Sequence, residues 1–263
     1  MSNRDTWDSD KVVKYYSTKY WLRYHSRPLQ PPEETIFNIF KDRFKAMKVL
    51  DIGVGGGRTT LCLAKVSKEY VGIDYSENMI RACKKRFSGT DSHISFKVCD
   101  VRSMKVFEDN YFDFILFSFN GIDYISHEDR LKSLQEIKRI VKKDPGYFVF
   151  STHNIQNIDK HFSLGITMNP LKLAQRIHKV LRLRIANKDY KKLSKEKYAL
   201  ITDIDYQFMF ETYYIKPKEQ IRQLSGLGFN NISVYSLVDG SKIEDQSKLD
   251  TITDNWLYYL CNT

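Results

Sequence analysis

The chain has 263 residues, of which 42% are hydrophobic and 28% charged, and its formal net charge is +10. This composition is typical of a folded globular protein and excludes wholesale disorder. The longest strongly apolar stretch, residues 112–119, is too short to span a bilayer and contains Asp113. The first ten residues are polar and acidic, unlike a secretory signal or a transit peptide, so we expect a soluble cytoplasmic protein.

Short apolar runs alternate with amphipathic ones from residue 47 to residue 151. They predict strands at 47–52, 70–73, 93–99, 111–119 and 146–151, and helices at 57–66, 76–87 and 127–143. Ser76 and Ser126 stand where N-caps are expected. Nearly continuous apolar strands separated by helices are typical of parallel βαβ units with both sheet faces covered. Farther along we expect strands at 206–215, 229–238 and 256–261 and a helix at 218–227.

Two segments do not follow this alternation. Residues 1–45 are aromatic and basic, include a predicted helix at 33–44, and are expected to form an N-terminal cap. Residues 154–204 form a predicted basic helical insertion between the core segments 46–153 and 205–263. Residues 154–200 contain eleven Lys/Arg and three acidic residues, a balance of +8 that accounts for most of the net charge. Any anionic partner is therefore expected at this insertion.

A glycine-rich turn follows the first predicted strand. Gly53, Gly55 and Gly57 have the spacing GxGxG and are preceded by Asp51. Glycines in such a turn permit positive φ and let a ligand approach the main chain. The NAD fingerprint has glycine where this chain has Arg58, and no Gly-Lys-Ser/Thr of a P-loop is present. The turn therefore indicates a nucleotide-like ligand of another kind.

Acidic residues stand at the ends of the first three predicted strands: Asp51, Asp74 and Asp100. The carboxyl ends of parallel strands converge on one crevice, where ligands bind. Carboxylates favour a cation that carries hydroxyls over a diphosphate. S-adenosylmethionine fits this site, because it has a sulfonium, an ammonium, a ribose diol and an adenine but no phosphate. The alternative is that these acids only cap helices or loops.

Each acid has an expected role toward this cofactor. Asp74 can accept both ribose hydroxyls, Asp51 can hold the amino-acid end through the turn, and Asp100 can accept from the adenine amino group. The adenine would also meet the backbone N–H of Val101 or Arg102 and the side chains of Tyr75 and Met79.

Five motifs of this chain resemble those of the class I S-adenosylmethionine-dependent methyltransferase family. They are VLDIGVGGGRTT (49–60), YVGIDYSENMI (70–80), CDVRSM (99–104), FDFILFSFNGIDYI (112–125) and PGYFVFSTHN (145–154). The resemblance covers residues 45–152 and, more loosely, 206–263. It implies an α/β fold: a Rossmann-like, seven-stranded, mostly parallel sheet with helices on both faces and an antiparallel last strand, here with a helical insertion after the fifth strand. Arg58 and Phe119, inside these motifs, join the expected cofactor-binding residues.

The methyl acceptor is expected over the ends of the fourth and fifth strands. Asn120 and Tyr124 follow the fourth strand, His153 and Asn154 end the fifth, and Asn120, Tyr124 and Asn154 are candidate substrate-binding residues. His153 is our candidate general base toward a hydroxyl, because imidazole is the side chain best suited to exchange a proton under physiological conditions; the alternative is a hydrogen-bonded loop histidine. The four cysteines form no CxxC pair and lie at no zinc-ligand spacing to a histidine, so no metal site is predicted.

These observations predict methyl transfer to a hydroxyl of a small-molecule or glycan acceptor. If the acceptor is anionic, the positive charge of the basic insertion would favour its binding. The alternatives are an N-methyltransferase of a small amine, an RNA methyltransferase that docks through the basic insertion, and a non-enzymatic cofactor-binding scaffold or regulator. The RNA alternative is disfavoured because no RNA-binding module is visible, and no DNA contact is predicted. The insertion can be a lid, a docking surface or a solvated helix pair, and the apolar and basic faces at 170–185 leave a peripheral membrane contact open. The oligomeric state is not predicted.

Overall fold

The computed structural model describes residues 26–89, 92–165, 168–187, 190–202 and 211–263. Most of the predicted N-terminal cap, residues 1–25, lies outside the described residues. So do residues 203–210, where the predicted strand 206–215 begins.

The described residues form eight α-helices and nine β-strands. The helices are α1 (Pro31–Phe40), α2 (Thr60–Leu63), α3 (Glu77–Arg86), α4 (His127–Ile140), α5 (Ile158–His161), α6 (Pro170–Ala186), α7 (Tyr190–Leu193) and α8 (Pro217–Gly226). The strands are β1 (Lys48–Ile52), β2 (Glu69–Asp74), β3 (Ile94–Val98), β4 (Phe114–Phe117), β5 (Tyr147–Asn154), β6 (Tyr198–Thr202), β7 (Glu211–Ile215), β8 (Asn230–Ser236) and β9 (Trp256–Asn262).

The sheet has the predicted mostly parallel core. Strands β3, β2, β1, β4 and β5 are neighbours in that order, and each of these pairs is parallel. The last strand, β9, runs antiparallel along β5, and β8 pairs antiparallel with β9. These seven strands confirm the predicted Rossmann-like sheet with its antiparallel last strand.

Two further strands extend this sheet. Strand β6 pairs antiparallel with β7, and β7 pairs parallel with the end of β5 through His153↔Tyr214 and Asn154↔Ile215. The basic insertion therefore contributes a strand as well as helices. The sequence analysis missed β6 because its five residues follow a run of lysines within a segment assigned as helical.

The elements around the glycine-rich turn are shorter than predicted. Helix α2 has four residues and begins after Gly57, whose positive φ (78°) cannot be part of a right-handed helix. Strand β4 ends at Phe117, because Phe119 and Asn120 have φ of 55° and 60°. The predicted N-caps are confirmed: Ser76 accepts the N–H of Met79, and Ser126 accepts that of Asp129.

Apolar side chains of the central strands alternate between two cores, one on each face of the sheet. In β4, Ile115 and Phe117 belong to one core, while Phe114 and Leu116 belong to the other. A third, smaller cluster holds the insertion against the sheet and contains Ile155, Ile158, Phe162, Leu183, Ile201 and Tyr214. Within the described part of the chain, no helix combines the length and the apolarity needed to cross a bilayer.

Candidate active site

The glycine-rich turn leaves β1 with the backbone in the left-handed region at Gly53, Gly55 and Gly57, where φ is 65°, 53° and 78°. A Cβ on Gly57 would lie 2.5 Å from the Phe87 ring, so packing alone requires that glycine. A Cβ on Gly55 would meet no heavy atom nearer than 3.9 Å, the carbonyl oxygen of Gly53. The space beside Gly55 is therefore open, as expected where a ligand approaches the main chain.

Asp74, at the end of β2, lies against this turn. Its Oδ2 accepts the N–H of Gly55 at 2.9 Å, and its Oδ1 accepts the N–H of Ser76 at 2.8 Å. Burial raises the pKa of the Asp74 carboxyl, and the two backbone hydrogen bonds partly offset that increase. The predicted ribose acceptor and the open glycine thus share one place in the fold.

Asp51 lies at the base of the turn and is buried. Its Oδ2 accepts hydrogen bonds from Thr59 Oγ1 at 2.5 Å and from the Tyr70 hydroxyl at 2.6 Å. Burial raises the pKa of the Asp51 carboxyl from 3.8 to about 6, although these two hydrogen bonds lower it. The carboxylate therefore ties the two ends of the turn to each other and to β2.

Asp100, which follows β3, is paired with Arg102. Its oxygens accept the Arg102 backbone N–H at 2.9 Å and the guanidinium at 2.6 Å, and the same guanidinium reaches Asp129 at 3.1 Å. The Arg102 N–H that we expected to face the adenine is therefore occupied within the chain. The other predicted adenine contacts are placed differently from one another. Val101 packs against the core that contains Ile115 and Phe117, Met79 is buried, and Tyr75 is exposed.

Arg58 binds a partner that the sequence analysis missed. Its guanidinium forms two hydrogen bonds to the carboxylate of Glu33 in α1, which is fully buried and also accepts from the Tyr258 hydroxyl. Burial by itself would lower the pKa of Arg58, but the hydrogen bonds and charge of Glu33 raise it. Glu33 was visible as the first residue of the predicted helix 33–44, but its partner lies 25 residues away.

The turn after β4 brings Phe119 and Asn120 beside the ends of β5 and β9. The Phe119 ring lies 6.1 Å from the Trp256 ring and under the guanidinium of Arg58, at 5.4 Å. The Asn120 N–H donates to Ser151 Oγ at 2.8 Å. Positive φ at two consecutive residues other than glycine is unusual and occurs often at functional sites.

His153 and Asn120 meet at this turn, and Asp123 joins them. Asp123 Oδ2 lies 2.8 Å from His153 Nδ1 and also accepts the His153 backbone N–H at 2.7 Å. The other ring nitrogen, Nε2, lies 3.2 Å from Asn120 Nδ2. Because a carboxylate only accepts, Nδ1 carries the proton, and Nε2 is the basic nitrogen of the neutral ring.

Asp123 is held by buried polar side chains. Its Oδ1 accepts from Arg130 Nη1 and from Thr152 Oγ1, both at 2.6 Å, and Arg130 also donates to Gln220 Oε1. The side chains of Asp123 and Arg130 are both fully buried. The roles of Arg130 and Gln220 could not be found from spacing, because Gln220 lies 90 residues beyond Arg130.

The remaining acceptor candidates are placed differently. Tyr124 is buried in a short 3₁₀ helix, Gly121–Tyr124. The amide of Asn154 donates to Ile252 O and accepts from the N–H of Gln156, so the chain itself occupies it. Among the described residues, no group of three or more His, Cys, Asp or Glu side chains is arranged to hold a metal ion.

A parallel sheet with a GxGxG turn after its first strand and an acid on that turn defines a Rossmann-like cofactor-binding protein.

Residues 49–144 match a family described as "Methyltransferase domain". A protein of Geobacillus sp. (strain WCH70) named as a methyltransferase is 24% identical over 161 residues, which are 59% of this chain and 63% of that protein. The demethylmenaquinone methyltransferase of Clavibacter sepedonicus is 30% identical over 95 residues, 36% of this chain and 37% of that protein. The aligned part thus spans less than two thirds of these curated relatives.

Solved structures show the same fold over most of the chain. An S-adenosylmethionine-dependent methyltransferase from Clostridium acetobutylicum is 13% identical, with a TM-score of 0.60 over 97% of this chain and 98% of that one. Another structure of this kind, from Listeria monocytogenes, is 19% identical, with a TM-score of 0.59 over 88% of this chain and 99% of that one. Residues 49–144 therefore match a methyltransferase domain, and the chain shares the fold of solved S-adenosylmethionine-dependent methyltransferases.

Proposed function

We propose that this chain is an enzyme that transfers the methyl group of S-adenosylmethionine to a hydroxyl of a small-molecule or glycan acceptor. The observation that carries the hydroxyl assignment is the arrangement of His153 and Asp123. A hydroxyl is a weak nucleophile until a base removes its proton, and a histidine with a fixed tautomer can do so near neutral pH.

His153 Nε2 is the nitrogen that would accept this proton. Asp123 holds Nδ1–H, orients the ring and stabilises the imidazolium that forms after proton transfer. In this structure Asn120 Nδ2 donates to Nε2, so an acceptor hydroxyl has to displace that amide to reach the nitrogen. The Asn120 carbonyl oxygen is buried with no hydrogen-bond partner among the described residues. A hydroxyl that entered at this point would supply the partner that this buried oxygen lacks.

The cofactor side of the site rests on Asp74 and the open space at Gly55. A carboxylate at this position can accept the ribose hydroxyls, and the absence of a Cβ leaves the main chain accessible. When bound, S-adenosylmethionine supplies a methyl group already activated by its sulfonium. The protein then has to hold the acceptor in line, exclude water and manage one proton.

Aromatic rings around His153 support a ring-shaped acceptor. The Trp256 ring lies 5.9 Å from the His153 ring and packs beside Phe119, and both the Trp256 and the Phe119 side chains are partly exposed. Aromatic faces of this kind pack well against the apolar face of a sugar or against a planar ring. A small amine is the second candidate, because the same base could remove a proton from it.

The test is transfer of radiolabelled methyl groups to separated sugar, lipid, amine and RNA fractions. We expect label on a hydroxyl-bearing small-molecule or glycan fraction, and label on the amine or RNA fraction would contradict the hydroxyl assignment. His153→Ala should lower turnover by about 10²–10⁴ and leave cofactor affinity unchanged. His178→Ala, which changes an exposed histidine on α6, is the matched control. Full activity of His153→Ala would remove His153 as the base.

A further inference from the structure

Helix α6 exposes aliphatic side chains along one side. Leu171 is 75% exposed, Leu181 is 53% exposed and Ile185 is 77% exposed, and the preceding Met168 is 99% exposed. Leu171, Leu181 and Ile185 are spaced by ten and four residues, which places them on one stripe of a helix with 3.6 residues per turn. Exposed aliphatic side chains gathered on one element indicate an interaction surface.

The same helix is strongly basic. Its 17 residues contain Lys172, Arg176, Lys179, Arg182 and Arg184 and no acidic residue. Lys172 and Lys179 lie seven residues apart, so they share one side of the helix, between the aliphatic stripe and the buried Leu183. We call Met168, Leu171, Leu181, Ile185, Lys172 and Lys179 the docking face.

The side of α6 opposite the aliphatic stripe fixes the helix to the rest of the protein. Val180 and Leu183 are buried, and Leu183 packs in the third apolar cluster. Asn187 ends the helix, and its side chain bonds to both the N–H and the carbonyl oxygen of Thr202 in β6. The docking face is thus presented on an anchored helix about 25 Å long.

We propose that the docking face binds the surface of an anionic lipid membrane, with α6 lying in the plane of the interface. Aliphatic side chains would enter the boundary between headgroups and acyl chains, while the lysines would meet the lipid phosphates. An anionic membrane accounts for both the aliphatic side chains and the lysines of the docking face. RNA would use the basic residues but has no use for the aliphatic stripe, and single-stranded recognition relies on aromatic rings, which α6 lacks apart from His178. A second copy would bring two helices of charge +5 together.

The test is co-sedimentation of the purified protein with vesicles, without cofactor or acceptor, so that its outcome is separate from methyl transfer. The vesicles are phosphatidylcholine alone or phosphatidylcholine with about 30% phosphatidylglycerol. We expect at least tenfold stronger binding to the anionic vesicles, weakened by salt. The variant Leu171→Gln/Leu181→Gln/Ile185→Gln should lose at least tenfold of this binding and keep its thermal transition, because the three side chains are already exposed.

Charge is tested by Lys172→Gln/Lys179→Gln, which should bind anionic vesicles at least fivefold more weakly. The matched control is Lys84→Gln/Lys85→Gln on α3, which removes the same charge from another exposed surface and should bind as the unmodified protein does. Equal binding to both vesicle types, or no binding, would overturn the proposal. So would poly(U) binding that competes with vesicles and is unaffected by the aliphatic substitutions, or a dimer in sedimentation velocity that they dissociate.

Discussion

The guanidinium of Arg58 and the carboxylate of Glu33 form a bidentate ion pair, with nitrogen–oxygen distances of 2.5 and 2.6 Å. Arg58 follows the glycine-rich turn, and Glu33 lies in the first turn of α1. The pair therefore joins the helix that precedes the sheet to the turn beside which we place the cofactor. Both side chains are largely removed from solvent, since they are 10% and 0% exposed.

Glu33→Gln should strongly destabilise the fold. It leaves the buried Arg58 charge without its counter-ion, which typically costs about 3–5 kcal/mol of the free energy of unfolding. Urea unfolding at neutral pH measures the loss. The neighbouring Glu34 is exposed, so Glu34→Gln is the control and should stay within about 0.5 kcal/mol. Equal effects of the two substitutions would show that the ion pair contributes little.

Asp74→Ala should raise the dissociation constant of S-adenosylmethionine at least tenfold, about 1.4 kcal/mol. The substitution removes the proposed ribose acceptor and the carboxylate that binds the Gly55 N–H. Calorimetry of each variant measures the change, with Glu77→Gln, an exposed acid three residues away, as the control. Unchanged cofactor binding by Asp74→Ala would remove the ribose assignment.

Asp123→Asn should lower turnover at least tenfold without changing cofactor affinity, because an amide no longer fixes the proton on His153 Nδ1. It should also destabilise the fold, because Arg130 loses its buried counter-ion. Thr152→Val separates the two effects, since it removes a hydrogen bond to Asp123 and leaves the His153 contact in place. Assays run below both thermal transitions should show normal turnover for Thr152→Val. An equal loss of turnover in both variants would assign Asp123 a structural role only.

Asp51 should make the stability depend on pH. Its carboxyl has a pKa of about 6 in the folded protein against 3.8 for an unperturbed group, so the folded state binds the proton more tightly than the unfolded state. This contribution is fully present below about pH 3.8 and is lost as the pH rises through 6; a shift of this size corresponds to about 3 kcal/mol.

Asp51→Asn removes this titration. Relative to the variant, the unmodified protein should therefore lose stability between about pH 4 and pH 7. Urea unfolding of both proteins across that range measures the difference. Parallel stability curves would show that Asp51 is not the titrating group.

Local features of the chain predicted much of the fold. The apolar runs and the serine caps predicted the order of the core elements. The positions of the glycine-rich turn and of Asp74 after two predicted parallel strands placed them at the same edge of the sheet. The strand β6 was missed because five residues within a lysine-rich segment give too little periodicity to separate a strand from a helix. Its partner β7 supplies the pairing that stabilises it.

The site was less predictable, because most of its contacts join residues far apart in the sequence. The position of Asp123 after β4 was visible, but its pairing with Arg130 and His153 depends on how α4 and β5 meet. Sequence position showed that Asp100 follows β3, but not that Arg102 occupies its carboxylate. Charges at strand ends therefore indicate where a site lies, while the partners of those charges become known only in three dimensions.

The most direct test of the central claim is a calorimetric titration of the intact protein with S-adenosylmethionine, with NAD and ATP titrated in parallel. We predict saturable binding of S-adenosylmethionine and no measurable heat from the two phosphate-bearing nucleotides. Binding of NAD or ATP without any binding of S-adenosylmethionine would contradict the proposed cofactor and, with it, the proposed methyl transfer.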